Sequence, residues 1–165
     1  MKSAVLTGIA IILGSAGLAG CQQGADQPAA EASEAAAPEA PAGIAVSNGR
    51  LVLPAVKGNP GAVYFDLANN GDADSAIAGA SVEGAQSAML HTTVQSGGMA
   101  SMEHMDSVPL AKGATVSFAP GGNHVMAMDL SDTIKAGAST EVTLTFANGD
   151  KVSFPAEVRA PGDAD

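Results

Sequence analysis

The chain has 165 residues, of which 17 are acidic and 7 are basic, and it contains one cysteine and no tryptophan. This acidic balance argues against a nucleic-acid-binding protein and against a protein that binds anionic membranes through charge. The single cysteine excludes an intramolecular disulfide, and the length allows one domain plus some sequence outside it.

Residues 1–21 predict a bacterial lipoprotein signal peptide. Lys2 precedes a short run of apolar residues, which ends in a Leu-Ala-Gly-Cys motif that resembles a lipobox. The run is shorter than the roughly 20 apolar residues that span a bilayer, which disfavours a transmembrane helix. We therefore expect lipidation at Cys21, a periplasm-facing protein and membrane attachment by the lipid anchor only. Gln22 after the cysteine favours the outer membrane.

Residues 22–42 predict a disordered tether. They are mainly Ala, Glu, Gln, Pro and Ser and include no large apolar side chain, so they cannot form a packed face. An alanine-rich helix is the alternative, but the prolines in this segment interrupt it. At the other end of the chain, residues 161–165 predict a flexible tail.

Residues 43–160 predict an all-β domain. Apolar and polar residues alternate in 62–68 and again in 141–146, as in half-buried strands. Asn48-Gly49 predicts a two-residue hairpin turn, and no segment shows helical periodicity. About eight or nine short strands with turns rich in Gly, Asn and Pro predict an antiparallel sandwich or a small barrel. The apolar strand faces predict these core residues: Val63, Phe65, Leu67, Val142, Leu144, Phe146, Val152 and Phe154.

The segment from Met89 to Met128 contains all three histidines and six of the seven methionines. Thioether sulfur is a soft, neutral ligand and imidazole is a borderline one, so a site with both favours copper, and Cu(I) in particular. Zinc prefers Cys, His and carboxylate ligands, and calcium and magnesium prefer oxygen. The composition of this segment therefore predicts a copper site.

The spacing of these donors brings three chain segments together. His124 and Met126 are two residues apart in a predicted strand and so project from the same face. His91 lies in another predicted strand, and a Gly-Gly turn after that strand can fold Met102 back towards it. We predict that one Cu(I) ion is bound by two imidazoles and two thioethers, those of His91, Met102, His124 and Met126.

Three further side chains are candidates for additional metal contact. Met128 projects from the same predicted face as Met126, although packing beside the site is the alternative. His104 and Met105 follow Met102 closely in the sequence. They could bind a second copper ion, or they could lie in an exposed turn without such a role.

The pattern His91-x10-Met102-x21-His124-x-Met126 resembles the signature of the periplasmic PCu(A)C copper-chaperone family in residue type and in spacing. The sequence around the second histidine, Pro-Gly-Gly-Asn-His-Val-Met-Ala-Met, also resembles the corresponding strand of that family. The resemblance covers residues 44–158, which is nearly the whole predicted domain.

The resemblance implies a cupredoxin-like β-sandwich that binds one Cu(I) ion at an exposed edge. It also implies delivery of copper to the CuA centre of cytochrome c oxidase, often alongside a Sco-type thiol protein, and we expect a monomer. The chain departs from the family at two places. Thr92 stands where the family usually has Glu, and Glu103 stands where a basic residue usually follows the methionine ligand.

Catalysis is not expected. The single cysteine is assigned to lipidation, and no serine lies in a Gly-x-Ser-x-Gly motif. A blue-copper electron carrier requires a cysteine ligand, which this domain lacks. The remaining alternatives to a copper chaperone are a lipoprotein that stores or scavenges copper, and a lipoprotein that binds another protein without metal.

Overall fold

The computed structural model describes residues 40–163. The predicted signal peptide with Cys21, nearly all of the predicted tether and the last two residues of the predicted tail lie outside this range. The described residues form ten strands and no helix, so none of them belongs to a membrane-spanning helix. The strands are β1 Ile44–Val52, β2 Gly61–Asn69, β3 Ser75–Val82, β4 Ser87–Ser96, β5 Met99–His104, β6 Val108–Leu110, β7 Thr115–Phe118, β8 Asn123–Met128, β9 Ser139–Phe146 and β10 Lys151–Arg159.

The strands are hydrogen-bonded in the order β5-β4-β8-β7-β2-β1-β10-β9-β3-β6, and β8 also pairs with β2. Strand β3, near one end of this order, contacts β4, near the other end, although the two strands are not paired. The sheet therefore folds over itself into two facing layers. The all-β sandwich prediction is confirmed, with ten strands instead of eight or nine, and with two parallel pairings, β1–β10 and β7–β8, among the antiparallel ones.

The hydrophobic core lies between the two layers. All eight core residues predicted from alternation are buried. The rings of Phe65 and Phe118, from neighbouring strands β2 and β7, stack with their centroids 4.3 Å apart. Burying one large apolar side chain stabilises the folded state by about 1.5–3 kcal/mol. The core therefore gives a stable support to the side chains on the outer faces of these strands.

The predicted hairpin at Asn48-Gly49 is wrong, because β1 continues through it. The register between β1 and β2 shifts at this point, and Asn48 has a φ of +57°. The Asn48 side chain donates a 2.7 Å hydrogen bond to the carboxylate of Asp66 on β2. A Cβ on Gly49 would lie 2.8 Å from the Pro155 carbonyl oxygen. The pair therefore forms a β-bulge, which uses the same left-handed conformation that a hairpin turn would use.

Strands β5, β4 and β8 lie side by side at one end of the strand order. The turn that joins β4 to β5 contains Gly97 and Gly98, with φ values of 60° and 81°. Positive φ at two successive residues suits a tight hairpin turn and is available to glycine at low cost. On the inner side of these strands, Leu90, Val125 and Ala127 are buried in the core. Their register fixes which residues face outward.

Candidate metal centre

The three histidines lie in a row across β5, β4 and β8. His91 is directly opposite His104 on one side and directly opposite His124 on the other. Residues opposite each other in antiparallel strands project from the same face. The ring centroids of His91 and His104 are 5.6 Å apart, and those of His91 and His124 are 6.0 Å apart. We call His104, His91 and His124 the histidine row, and it lies on the outer face of the sheet, opposite the buried Leu90.

Met126 brings a thioether to this row. The Sδ atom of Met126 is 2.5 Å from Nδ1 of His91, so the two atoms are in direct contact. Met126 is two residues from His124 on β8 and therefore shares its face. A nitrogen and a sulfur from two different strands thus point at one place, next to the ring of a second histidine.

His124 is held in a defined tautomer. Its ring is buried, with 4% of its surface exposed, and Nδ1 is 3.0 Å from the carbonyl oxygen of Gly122. Because a carbonyl oxygen can only accept, Nδ1 carries the proton and Nε2 carries the lone pair. Nε2 is buried and has no hydrogen-bond partner. Leaving such an atom unpaired costs about 1–3 kcal/mol, and a metal ion bound at Nε2 would remove this cost.

The residues around His124 explain its position. The Tyr64 ring, from β2, lies 6.5 Å from the His124 ring at an angle of 55° and stands on the same side of the sheet. The hydrogen bond from Nδ1 to the Gly122 carbonyl oxygen also restrains the orientation of the ring. Ligating histidines usually donate their second N–H to a carbonyl or carboxylate in this way. Neither Tyr64 nor Gly122 was identified from the sequence as a residue of the site.

The electrostatics of the site favour neutral imidazole at His91. Burial lowers the pKa of His91, and the neighbouring His124 and His104 lower it further. A histidine with a lowered pKa stays neutral, and only the neutral form binds a metal. Within residues 40–163, no three His, Cys, Asp or Glu side chains are grouped so as to hold a metal ion. The donor that contacts His91 is instead the thioether of Met126.

Met102, the fourth predicted ligand, lies on β5 directly opposite Thr93. The hairpin folds back as the Gly-Gly turn predicts, but the residue directly opposite His91 is His104. Met102 is two residues from His104 on the same face, and 65% of its surface is exposed. The structure thus brings His91, His124 and Met126 together and leaves Met102 exposed on the adjacent edge strand.

The other candidates are distributed differently. The backbone N–H of Met105 donates a 2.9 Å hydrogen bond to the Leu90 carbonyl, and its side chain packs against the hydrophobic core, away from the histidine row. Met128 shares the outer face and lies two residues beyond Met126, or about 7 Å along the strand, on the side away from His124. Met89 is directly opposite Met126 and is partly exposed. Among the three additional candidates, His104 is the one whose ring is directly beside that of His91.

The chain belongs to a family of putative lipoproteins. A family model for putative LpqE-like lipoproteins matches residues 44–158. The putative lipoprotein Lxx21020 of Leifsonia xyli subsp. xyli is 36% identical over 89 residues, which is 53% of this chain and 54% of that protein. The chain therefore spans about half the length of this curated relative.

Solved structures show the same fold. The copper-bound PCuAC domain from PmoF2 has a TM-score of 0.62 and 25% identity, over 75% of this chain and 98% of that domain. The apo PCuAC domain from PmoF1 has a TM-score of 0.61 and 25% identity, over 75% of this chain and 99% of that domain. The CuI form of DR1885 from Deinococcus radiodurans has a TM-score of 0.54 and 32% identity, over 80% and 86% of the two chains. These neighbours confirm the cupredoxin-like fold and the PCu(A)C resemblance.

Proposed function

Because the chain belongs to the LpqE-like family of putative lipoproteins and has the fold of PCuAC domains, we propose that it is an extracytoplasmic Cu(I) chaperone. The observation that carries this proposal is the buried, unpartnered Nε2 of His124, presented beside the contact between His91 and Met126. Two of the similar solved structures, the PCuAC domain from PmoF2 and DR1885, are themselves copper-bound forms.

In the proposed site, one Cu(I) ion is bound by His91, His124 and Met126, with Met102 as the fourth ligand. Two imidazoles and two thioethers form a neutral, soft ligand set, which suits Cu(I) better than a divalent ion. A thioether has no proton to lose on binding, whereas a cysteine thiol must first be deprotonated. Because Met102 is largely exposed, its side chain must move out of solvent to contact the ion.

Copper is released by ligand exchange. Met102 is the most exposed of the four ligands, so it leaves first, and a thiolate of the acceptor takes its position on Cu(I). Thiolates bind Cu(I) more tightly than thioethers, which drives the remaining exchanges at Met126 and the two histidines. Copper remains monovalent throughout, and each step replaces one ligand by another. The buried His124 is the last to release the ion.

The rest of the chain delivers the domain to its acceptor. In this proposal, Cys21 carries the lipid anchor, Gln22 directs the protein to the outer membrane, and residues 22–42 tether a monomeric domain on the periplasmic side. The acceptor is a copper-binding protein with thiolate ligands, such as the CuA subunit of cytochrome c oxidase or a Sco-type thiol protein.

A Cu(I) competition titration on the full-length protein tests the site. His91→Ala and Met126→Ala should each weaken Cu(I) binding, whereas Met99→Ala, at the far end of β5, should not. Cu(I) should also raise the melting temperature of the wild-type protein, because a ligand that binds only the folded state stabilises it. Unchanged binding in both site variants would refute the ligand assignment, and an unchanged melting temperature would favour a lipoprotein that binds proteins without metal.

A deletion strain separates delivery from storage. A chaperone for the oxidase predicts that oxidase activity fails at low copper and recovers when copper is added. A storage or scavenging protein predicts sensitivity to excess copper with normal oxidase activity. The second result would keep the copper site and overturn the delivery role.

A further inference from the structure

The methionines of the domain differ widely in their access to solvent. The exposed fraction is 75% for Met99 and 65% for Met102. Met105 instead packs against the hydrophobic core, and the sulfur atom of Met126 is in contact with Nδ1 of His91. The two most exposed thioethers of the domain therefore both lie on β5.

These two methionines face opposite sides of the β4–β5 hairpin. Met99 and Met102 are three residues apart on β5, so their side chains point away from each other. Met102 shares a face with His104 and hence with the histidine row, whereas Met99 does not. Strand β5 is at the edge of the sheet and all of its residues are exposed, so a reagent in solution can reach both sulfur atoms.

We propose that Met102 is a site of reversible oxidation to methionine sulfoxide, through which peroxides lower the affinity of the domain for Cu(I). The effect on affinity rests on the proposed function, since it takes Met102 as a Cu(I) ligand. In this reaction a sulfur lone pair attacks one oxygen of hydrogen peroxide, and an S–O bond forms as the O–O bond breaks. The other oxygen leaves as water with the proton of the first. Sulfur is oxidised by two electrons, and the peroxide is reduced by the same number.

Oxidation of Met102 changes the donor without disturbing the fold. A sulfoxide is polar and is no longer a thioether, so the ligand set loses part of the softness that favours Cu(I). At Met102 the new oxygen projects into solvent. At Met105 the same oxygen would lie against the hydrophobic core, where a polar group without a hydrogen bond is costly. The exposed edge strand therefore confines the reaction to side chains that tolerate it.

The modification is also open to repair. Methionine sulfoxide reductases convert the sulfoxide back to the thioether at the expense of a reductant. The sulfoxide of Met102 is as accessible to such an enzyme as the thioether is to peroxide, because no neighbouring strand covers that side of β5 in residues 40–163. Exposure thus supplies both directions of the switch.

Limited treatment of the full-length apo protein with hydrogen peroxide, followed by peptide mass spectrometry, tests the modification. Met99 and Met102 should be oxidised several-fold faster than Met105 and Met126. Loading with Cu(I) should slow the oxidation of Met102, whose lone pair is then occupied, and should leave that of Met99 unchanged. Oxidation of Met102 no faster than that of Met105 would overturn the proposal.

A Cu(I) competition titration on the same samples tests the consequence. After limited oxidation, wild type and Met99→Leu should lose about as much affinity as the Met102→Ala substitution costs, and methionine sulfoxide reductase with a thiol reductant should restore it. Met102→Leu is the matched control and should show no further loss on oxidation. The melting temperature of the apo protein should stay close to that of the untreated sample, which excludes unfolding as the cause.

The outcomes separate the two proposals. Unchanged Cu(I) affinity after Met102 has been oxidised would overturn the switch, and it would leave His91, His124 and Met126 as proposed ligands. Conversely, Cu(I) affinity that survives both His91→Ala and Met126→Ala would overturn the proposed function and with it the effect on affinity, but not the order in which the methionines are oxidised.

Discussion

Strands β8 and β5 flank β4 on opposite sides, and each carries potential metal-binding side chains next to His91. The two strands differ in their pairing and in their burial. Strand β8 is paired with β4 and with β2, and its His124 is buried and hydrogen-bonded. Strand β5 is at the edge of the sheet, and every one of its residues is exposed. One half of the site is therefore prearranged, and the other half is adaptable.

This difference assigns separate tasks to the two strands. Donors fixed before the ion arrives lose little freedom on binding, so they contribute most of the affinity. Donors on an exposed edge lose more freedom but can leave the ion one at a time, which ligand exchange requires. A site built only on strands like β8 would hold copper without releasing it readily.

The largest expected effect is a difference in Cu(I) affinity between His124→Ala and Met102→Ala. Removing the buried imidazole should weaken Cu(I) binding by about 100-fold or more, since even the loss of an outer-shell partner typically costs about 10–100-fold, whereas removing the exposed thioether should cost only about tenfold. A Cu(I) competition titration measures both, and thermal melts of the apo proteins control for folding. Equal losses would contradict the division into a fixed and an adaptable half.

A smaller loss is expected for Met126→Leu. The substitution removes sulfur and nearly conserves volume, and such exchanges usually cost less than about 1.5 kcal/mol of stability. Cu(I) affinity should fall about tenfold, while the apo melting temperature stays close to that of wild type. Met128→Leu makes the same change two residues further along β8. A comparable loss of affinity in Met128→Leu would show that the site extends further along the strand than the contact with His91 indicates.

Hydrogen exchange should report the same contrast at the backbone. In the apo protein, the amides of β5 that face away from β4 should exchange much faster than those of β8, since an exposed edge opens at low free energy. Binding of Cu(I) should slow exchange in β5 several-fold and leave β8 nearly unchanged. Equal protection of both strands before copper is added would mean that β5 is as rigid as β8.

The smallest effect is expected at Tyr64. Tyr64→Leu removes the ring beside His124 without touching a proposed ligand. Cu(I) affinity should fall by less than about tenfold, which is the lower end of the loss typical of outer-shell partners. Tyr64→Phe keeps the ring and should behave like wild type in the same titration. A large loss in Tyr64→Phe would point to a direct role for the hydroxyl group.

The sequence predicted those features that depend on local pattern. The alternation of apolar and polar residues identified the inward faces of β2, β9 and β10, because successive side chains in a strand point to opposite faces of the sheet. The same rule placed His124 and Met126 on one face. The prediction of a hairpin at Asn48-Gly49 was wrong because a preference for left-handed backbone suits a bulge as well as a turn. Only the pairing with β2 and the close approach of Pro155 decide between the two.

Features that depend on long-range pairing were not predictable. The placement of His104 opposite His91 depends on the register of the β4–β5 hairpin, and the placement of Tyr64 beside His124 depends on the pairing of β2 with β8. Strand β6 went unrecognised because its three residues are too few to show a period. Its Val108 and Leu110 are nevertheless buried in the hydrophobic core.

The alternation of β5 has a consequence for insertions and deletions. Met102 and His104 both face outward because they are two residues apart on the same strand. Deleting Ser101 would retain every potential copper ligand in the chain, yet it would shift Met102 and His104 to the opposite face of the hairpin, since a slip of one residue inverts a strand. The strands that carry the proposed copper ligands therefore cannot gain or lose a single residue and still present the same donors.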